Sequence, residues 1–142
     1  MGIRWPDQED LLSIELELCN GNLEVLDSVH GLDLFATGLM DVSELRLAQY
    51  IDPYGKTIFN QAQMADFLSD LDKMPNLKFT ADGIETMKEL LAASGISVDD
   101  AQLDAEKLRN DSAEDLEKIE RVRRLALRCR DELDLLLVFT GD

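Results

Sequence analysis

The chain has 142 residues, 45% of them hydrophobic, and its 30 acidic and 14 basic residues give a net charge of −16. This length fits a single domain over residues 1–142, and the apolar content excludes a disordered chain. The charge is −8 up to Asn60 (11 acids, 3 bases) and −8 after it (19 acids, 11 bases), so acidity is global. Such a field repels nucleic acids and anionic membranes and favours a basic protein partner.

The cysteines and the apolar runs indicate in which cellular compartment the protein resides. Residues 1–6 lack the apolar core of a secretory signal, and the longest apolar run, Leu135–Phe139, is far too short to span a membrane. Cys19 and Cys129 stand far apart without a CxxC pair, and His30 is the one histidine. We therefore expect free thiols in a reducing cytoplasm, with no metal and no cofactor.

The first third of the chain predicts β-structure. Residues 13–19 alternate between polar and apolar, which is typical of a half-buried strand. Asn20-Gly21 is a strong hairpin signal, and residues 23–27 continue as the second strand. Residues 31–35 predict a third strand.

Residues 41–51 are ambiguous. Asp41 and Glu44 have the spacing of a capping box, which predicts a short helix, and we favour this interpretation. The alternation of Leu45, Leu47 and Ile51 is instead typical of a strand. Residues 52–55, Asp-Pro-Tyr-Gly, then predict a turn.

The rest of the chain predicts four helices. Each follows an N-cap residue, and in three of them an acid or amide three positions later completes a capping box. The N-caps are Asn60, Thr80, Ser97 and Ser112, and the helices end before Pro75, before Gly95, near Arg109 and near Leu137. We thus expect an α+β fold that is dominated by its helices, with an N-terminal β-hairpin or small antiparallel sheet packed on about four of them.

The last predicted helix combines an apolar seam with a basic band. The seam takes alternating a and d positions of a heptad pattern. Its members are Ile119, Val122, Ala126, Cys129, Leu133 and Leu136. Six of the fourteen bases lie between Lys118 and Arg130. The bases pair with acids of the same chain, flank a surface for self-association or line a pocket for a small anion. In the second case Arg123, Arg130, Leu133 and Leu136 lie in the interface.

Three enzyme-like patterns are weaker. Gly55-Lys56-Thr57 is not a phosphate loop, because Tyr50 stands where that loop needs a glycine. The carboxylate pairs Glu117/Glu120 and Asp131/Asp134 have magnesium-binding spacing but fall on one predicted helix, too far apart to share an ion. His30 has no Gly-x-Ser-x-Gly motif to accompany it, and we interpret it as an exposed turn residue.

Residues 52–63, Asp-Pro-Tyr-Gly-Lys-Thr-Ile-Phe-Asn-Gln-Ala-Gln, and the ending Phe139-Thr140-Gly141-Asp142 carry a resemblance. In this pattern the chain resembles a group of small, functionally uncharacterised bacterial proteins. They are similar in style to proteins of mobile cassettes, among them immunity proteins and small regulators. The resemblance implies a bacterial cytoplasmic protein and no particular reaction.

Four residues of this region are candidate ligand-binding residues. Capping accounts for Asn60 and Gln63, and Asp52 can hold an Asx-turn. Thr57 and the two tyrosines have no structural role that the sequence assigns. A ligand site would therefore have its polar edge at Tyr50, Asp52, Tyr54 and Thr57.

The sequence reveals no activity and favours a non-enzymatic role. Our first hypothesis is an acidic interaction protein that forms a homodimer or larger oligomer through its last helix and binds a cationic protein, in the manner of an immunity protein or antitoxin. The alternative is a small-molecule binding protein with a pocket near residues 52–63. A magnesium-dependent phosphohydrolase is third.

Overall fold

The computed structural model describes residues 14–35, 40–78, 80–93, 95 and 113–141. Within these ranges the chain forms four strands and three α-helices. In chain order they are β1 (Glu15–Asn20), β2 (Val25–Val29), β3 (Lys56–Phe59), α1 (Met64–Lys73), α2 (Ala81–Ala93), α3 (Ala113–Asp131) and β4 (Leu135–Thr140). The expected α+β class is confirmed. The expected dominance of helices is wrong, because a four-stranded sheet stands beside three described helices, and the predicted helix from Ser97 to Arg109 lies outside the described residues.

The predicted hairpin is present. β1 and β2 pair antiparallel, and the Asn20 side chain holds the turn by accepting hydrogen bonds from the Asn22 and Glu24 amides at 2.9 and 3.0 Å. The strand predicted over 31–35 is wrong. Gly31 has a φ of 69°, which turns the chain out of β2, and residues Asp33–Phe35 form a 3-10 turn.

The sheet is antiparallel with the order β2-β1-β4-β3. β4 lies between β1 and β3, so the last strand in chain order is central. Alternate side chains face the helices because strand residues point to opposite faces in turn. The inward residues are fully or almost fully buried: Leu16, Leu18, Phe59, Leu137 and Phe139.

The predicted extent of the last helix is wrong. α3 ends at Asp131, and residues 135–140 form β4 instead of two further turns. Asp134 has a φ of 60°, a left-handed conformation that stops a helix. A short continuous apolar run fits a buried helix and a central strand equally well by periodicity. Residues 135–140 form a strand here because they pair with β1 on one side and β3 on the other.

α1 and α2 begin as predicted. The Gln63 side chain accepts the Asn60 N–H at 2.9 Å ahead of α1, and the Thr80 hydroxyl accepts the Gly83 N–H at 2.9 Å at the start of α2. Residues Met74–Asn76 continue α1 as a 3-10 turn.

The short helix predicted over 41–51 is wrong. Asp41 accepts the Ser43 N–H at 3.0 Å, so it forms an Asx-turn and caps no helix. The amides of residues 46–48 bond to Asp70 of α1 and not to carbonyls of their own segment. A helix would require those same amides, so only a 3-10 turn forms, over Ala48–Tyr50.

The core lies between the inward face of the sheet and helices α1 and α3. Four phenylalanines form its centre, with ring centroids 5.4–6.4 Å apart: Phe35, Phe59, Phe67 and Phe139. α3 contributes its buried apolar face, which contains Ile119, Val122, Leu125, Ala126 and Cys129. Among the described residues, no helix is long and apolar enough to cross a membrane.

Candidate functional site

The turns that connect the strands lie at two opposite ends of the sheet. The predicted ligand residues lie at one of these ends. We call it the closed end; it consists of the turn Asp52–Gly55 with Thr57 and Gly141. Asp52 accepts the Tyr54 N–H at 2.8 Å, and the Thr57 hydroxyl accepts the Asp52 N–H at 2.9 Å. Thr57 therefore has a structural role that the sequence does not assign.

Gly141 completes the closed end. Its N–H donates to the Gly55 carbonyl at 2.7 Å, and a Cβ at this position would collide with the carbonyl of Pro53. β3 and β4 pair over four residues just before this contact. The two segments that carry the family resemblance thus meet in space, and their contacts account for Asp52, Thr57 and Gly141 as structural residues.

The two tyrosines at this end are solvent-exposed. Tyr50 is 67% and Tyr54 is 72% exposed, and Ile58 on the outer face of β3 is half exposed. The structure therefore brings the four predicted ligand residues into one region, but it engages Asp52 and Thr57 in the turn and leaves the two phenols in solvent.

The opposite end of the sheet, which we call the open end, consists of two turns. One is the β1–β2 turn, residues 20–24, together with the start of β2. The other is the α3–β4 turn, residues 132–134. They touch, since a Cβ on Gly21 would lie 3.9 Å from Cβ of Asp134. Both contain a non-glycine residue with positive φ, Leu23 at 62° and Asp134 at 60°.

Large apolar side chains are exposed at the open end. Leu133, a predicted interface residue, lies on the α3–β4 turn and is 80% exposed. The other turn and the first residues of β2 expose Leu23, Val25 and Leu26 by 62%, 52% and 44%. A cleft of about 290 Å³ lies beside them, lined by Gly21, Asn60, Gln61, Asp134, Leu135 and Leu136. Leu136, the other predicted interface leucine, is half-buried there on β4.

The basic band of α3 pairs mainly with acids of its own chain. Arg123 bonds to Asp72 of α1 at 2.9 Å and to Glu120 at 3.0 Å. Arg130 bonds to Asp131 at 2.7 Å, and these hydrogen bonds hold the pKa of the Asp131 carboxyl below its ordinary value. The two predicted interface arginines thus have partners within the chain.

Lys118 and Arg128 follow the same pattern. Lys118 lies 3.2 Å from Glu114 and donates to the Gly31 carbonyl at 2.8 Å. The hydrogen bond that Arg128 donates to Glu132, together with the charges of Glu132 and Asp27, raises the pKa of Arg128 above its ordinary value. Internal pairing, the first of the three interpretations of the band, is thus present for these four bases.

Sequence reasoning missed Asp70, which is fully buried on α1. Its carboxylate accepts the amides of Arg46, Leu47 and Ala48 at 2.8, 2.7 and 2.9 Å. The missed signal is its position, three residues after Phe67 and next to Leu71 on the apolar face of the helix. An acid there requires donors from elsewhere in the chain.

His30 has neighbours that resemble a catalytic triad. Its Nδ1 lies 3.2 Å from Glu15 Oε1, and its Nε2 lies 3.3 Å from Ser28 Oγ. The imidazole and the carboxylate are both more than half exposed, so water screens their interaction. The Ser28 amide, a natural oxyanion donor, is bonded to Asp27 at 2.8 Å. The trio is therefore a surface hydrogen-bond chain.

The remaining chemical candidates are the thiols and the carboxylate pairs. Cys19 and Cys129 are free and buried, and burial raises the pKa of both thiols, which disfavours the reactive thiolate. Asp134 lies beyond the end of α3, so Asp131 and Asp134 do not share a helix face as predicted. Within the described part of the chain, no three metal-binding side chains form a cluster.

Comparison of the chain with protein-family models, with curated proteins and with solved structures finds no match. The resemblance carried by residues 52–63 and 139–142 therefore stays a prediction.

Proposed function

We propose that the protein is a non-enzymatic acidic interaction protein that binds a cationic protein partner in the cytoplasm, as an immunity protein or antitoxin binds its target. The observation that carries the proposal is the distribution of charge. At −16 the chain has a large excess of acids, and four bases of α3 are neutralised by acids of the same chain. The remaining acidic surface attracts a positively charged partner and steers its approach.

Two further features support this proposal. The free buried thiols suit a reducing compartment. The large side chains left in solvent, including Tyr50, Tyr54, Leu23 and Leu133, are of the kind that protein interfaces bury. Self-association through the last helix is not part of the proposal, because the apolar face of α3 is buried within one chain.

A small-molecule site has less support. The cleft at the open end, about 290 Å³, is at the lower limit of the 300–1,000 Å³ common for ligand sites. It is open to solvent and not closed around a ligand. Two of its lining residues, Asn60 and Gln61, belong to the predicted region 52–63, but the four predicted ligand residues lie at the closed end.

The proposal is tested by capture and titration. The immobilised protein is exposed to bacterial lysate at low and high salt, and the captured protein is identified, purified and titrated by calorimetry. We expect a one-to-one complex with a basic protein and an affinity that falls as salt rises. A neutral or acidic partner, or an affinity independent of salt, would contradict the proposal.

Charge variants sharpen this test because they change steering without touching the core. Neutralising three exposed acids of α2 (Asp82→Asn, Glu85→Gln and Glu89→Gln) should lower the association rate and leave the dissociation rate unchanged. The matched control removes two exposed bases of α3 (Arg121→Gln and Arg124→Gln) and should raise the association rate.

A further inference from the structure

We infer that the open end is the docking surface, and that it receives a basic amphipathic segment of the partner, with apolar side chains on one face and lysine or arginine beside them. The inference rests on the proposed function and adds the location of the interface and the chemistry of the segment.

The apolar part of the surface is concentrated. Of the nine large apolar side chains exposed in the described part of the chain, four lie at the open end. They are Leu23, Val25, Leu26 and Leu133. Single exposed apolar residues are normal on a protein surface, whereas neighbouring ones mark interaction sites. The contact between Gly21 and Asp134 joins the two turns, so all four residues lie at the same end of the sheet.

The backbone at Leu23 supports a role outside folding. A left-handed conformation costs a non-glycine residue about 1–2 kcal/mol, and asparagine or glycine tolerates it better than leucine. Leu23 has a φ of 62° and is mostly exposed, so burial of its side chain does not offset this cost. The turn uses this conformation, since the Glu24 N–H donates to the Asn20 side chain, but asparagine or glycine would adopt it with less strain. Backbone strain of this kind is frequent at functional sites.

Charge determines the kind of partner. Arg128 and Arg130 are near the open end but bond to Glu132 and Asp131. Acids that these arginines do not bond alternate with the exposed apolar residues: Glu24 and Asp27 on one side, and Asp134 on the other. A partner segment that covers the leucines therefore gains from positive charges at its edges.

A second copy of the chain fits this surface poorly. A twofold dimer places the same patch against itself. The acids of the two open ends would then face each other, and like charges at an interface are repulsive.

The test uses a fluorescent helical peptide with leucine on one face and lysine on the other, measured by anisotropy at about 150 mM salt. We expect it to bind the wild type. The double variant Leu23→Ser/Leu133→Ser should bind more than about tenfold more weakly, since it removes two leucine side chains that the peptide would bury. The matched control Leu90→Ser/Leu116→Ser, which removes two exposed leucines from α2 and α3, should bind as the wild type does.

The charge arm uses Glu24→Gln/Asp134→Asn, which should weaken binding modestly and reduce its dependence on salt. Asparagine is chosen at Asp134 because it tolerates the positive φ. Circular dichroism and urea unfolding confirm that each variant is folded.

Each other outcome overturns the inference in a distinguishable way. Equal binding of the peptide by both leucine variants would show that the open end is not the docking surface. It would not contradict the proposed binding of a cationic partner. Absence of peptide binding even at low salt would contradict the open end and the proposed function together. A concentration-dependent dimer that the Leu23→Ser/Leu133→Ser variant abolishes would show that a second copy occupies the surface.

Discussion

The two ends of the sheet differ in how they use their side chains. At the closed end, the side chains of Asp52 and Thr57 accept hydrogen bonds from backbone amides of the turn. Gly141 donates to the Gly55 carbonyl and lies close to the backbone of Pro53. At the open end, two turns with left-handed residues hold Leu23 and Leu133 in solvent. The residues that carry the resemblance thus lie at the end where they are engaged in the fold, and the end proposed to bind a partner lies outside them. A polar cluster in a sequence is therefore weak evidence for a ligand site until the partners of its polar groups are known.

The largest effect is expected from Asp70, which ties the segment leading to the closed end to α1. Asp70→Asn should lower the free energy of unfolding by about 3 kcal/mol, because hydrogen bonds to a charged acceptor contribute about 1.5–3 kcal/mol and an amide would turn an N–H towards backbone donors. Urea unfolding measures the loss. The exposed acid Asp66, paired with Arg46, is the control. Asp66→Asn should cost less than about 1 kcal/mol, and equal losses would contradict the assigned role of Asp70.

A smaller effect separates the two ends directly. Gly141→Ala should cost about 2 kcal/mol, since its Cβ meets the Pro53 carbonyl and the backbone must shift. Gly21→Ala at the open end should be close to neutral, because its Cβ meets nothing nearer than 3.9 Å and its φ is not positive. Thermal unfolding of the two variants provides the measurement. Similar melting temperatures for the two variants would show that the backbone packs no more closely at the closed end than at the open end.

At the open end a substitution should stabilise the protein. Leu23→Asn should raise the free energy of unfolding by about 1 kcal/mol, because asparagine tolerates a left-handed backbone better than leucine. Leu26→Asn, at a neighbouring exposed residue without positive φ, should bring no such gain. Urea midpoints compare the two variants. A loss of stability in Leu23→Asn would mean that the leucine side chain contributes to the fold after all.

The smallest effect concerns acid and Asp131, whose pKa is lowered by its hydrogen bonds from Arg130. A carboxyl with a lowered pKa stabilises the folded state above its unfolded pKa, about 3.9, and loses that contribution as pH falls through the folded value. Asp131→Asn should therefore reduce the acid sensitivity of the urea midpoint only below about pH 4. A difference that appears between pH 7 and 5 would contradict this assignment.

The sequence predicted those turns and helix starts that are stabilised by residues close together in the chain. The Asn20-Gly21 turn, the Asp52 turn and the starts of α1 and α2 all depend on bonds between residues a few positions apart. These predictions are confirmed because such bonds leave a pattern of residue types at fixed spacing.

The predictions that failed depend on residues distant in the chain. The segment 41–51 is not a helix because Asp70 takes its amides, and the run after Asp134 is a strand because β1 and β3 lie on either side of it. The structural role of Thr57 and Gly141 likewise requires the pairing of β3 with β4. At the open end, the sequence predicted Leu133 as an interface residue of the last helix, whereas it lies on the α3–β4 turn, and it did not single out Leu23 as a candidate.

The central position of β4 has a consequence for synthesis of the protein on the ribosome. β1 and β2 emerge early and β3 follows, yet β1 and β3 are joined only through β4, the last of the four strands to be made. Until residues 135–140 leave the exit tunnel, the nascent chain presents two unfilled strand edges, which are prone to pairing with other chains. The sheet therefore closes only after translation of these residues, and any product that stops before Leu135 remains a natural substrate for chaperones and proteases.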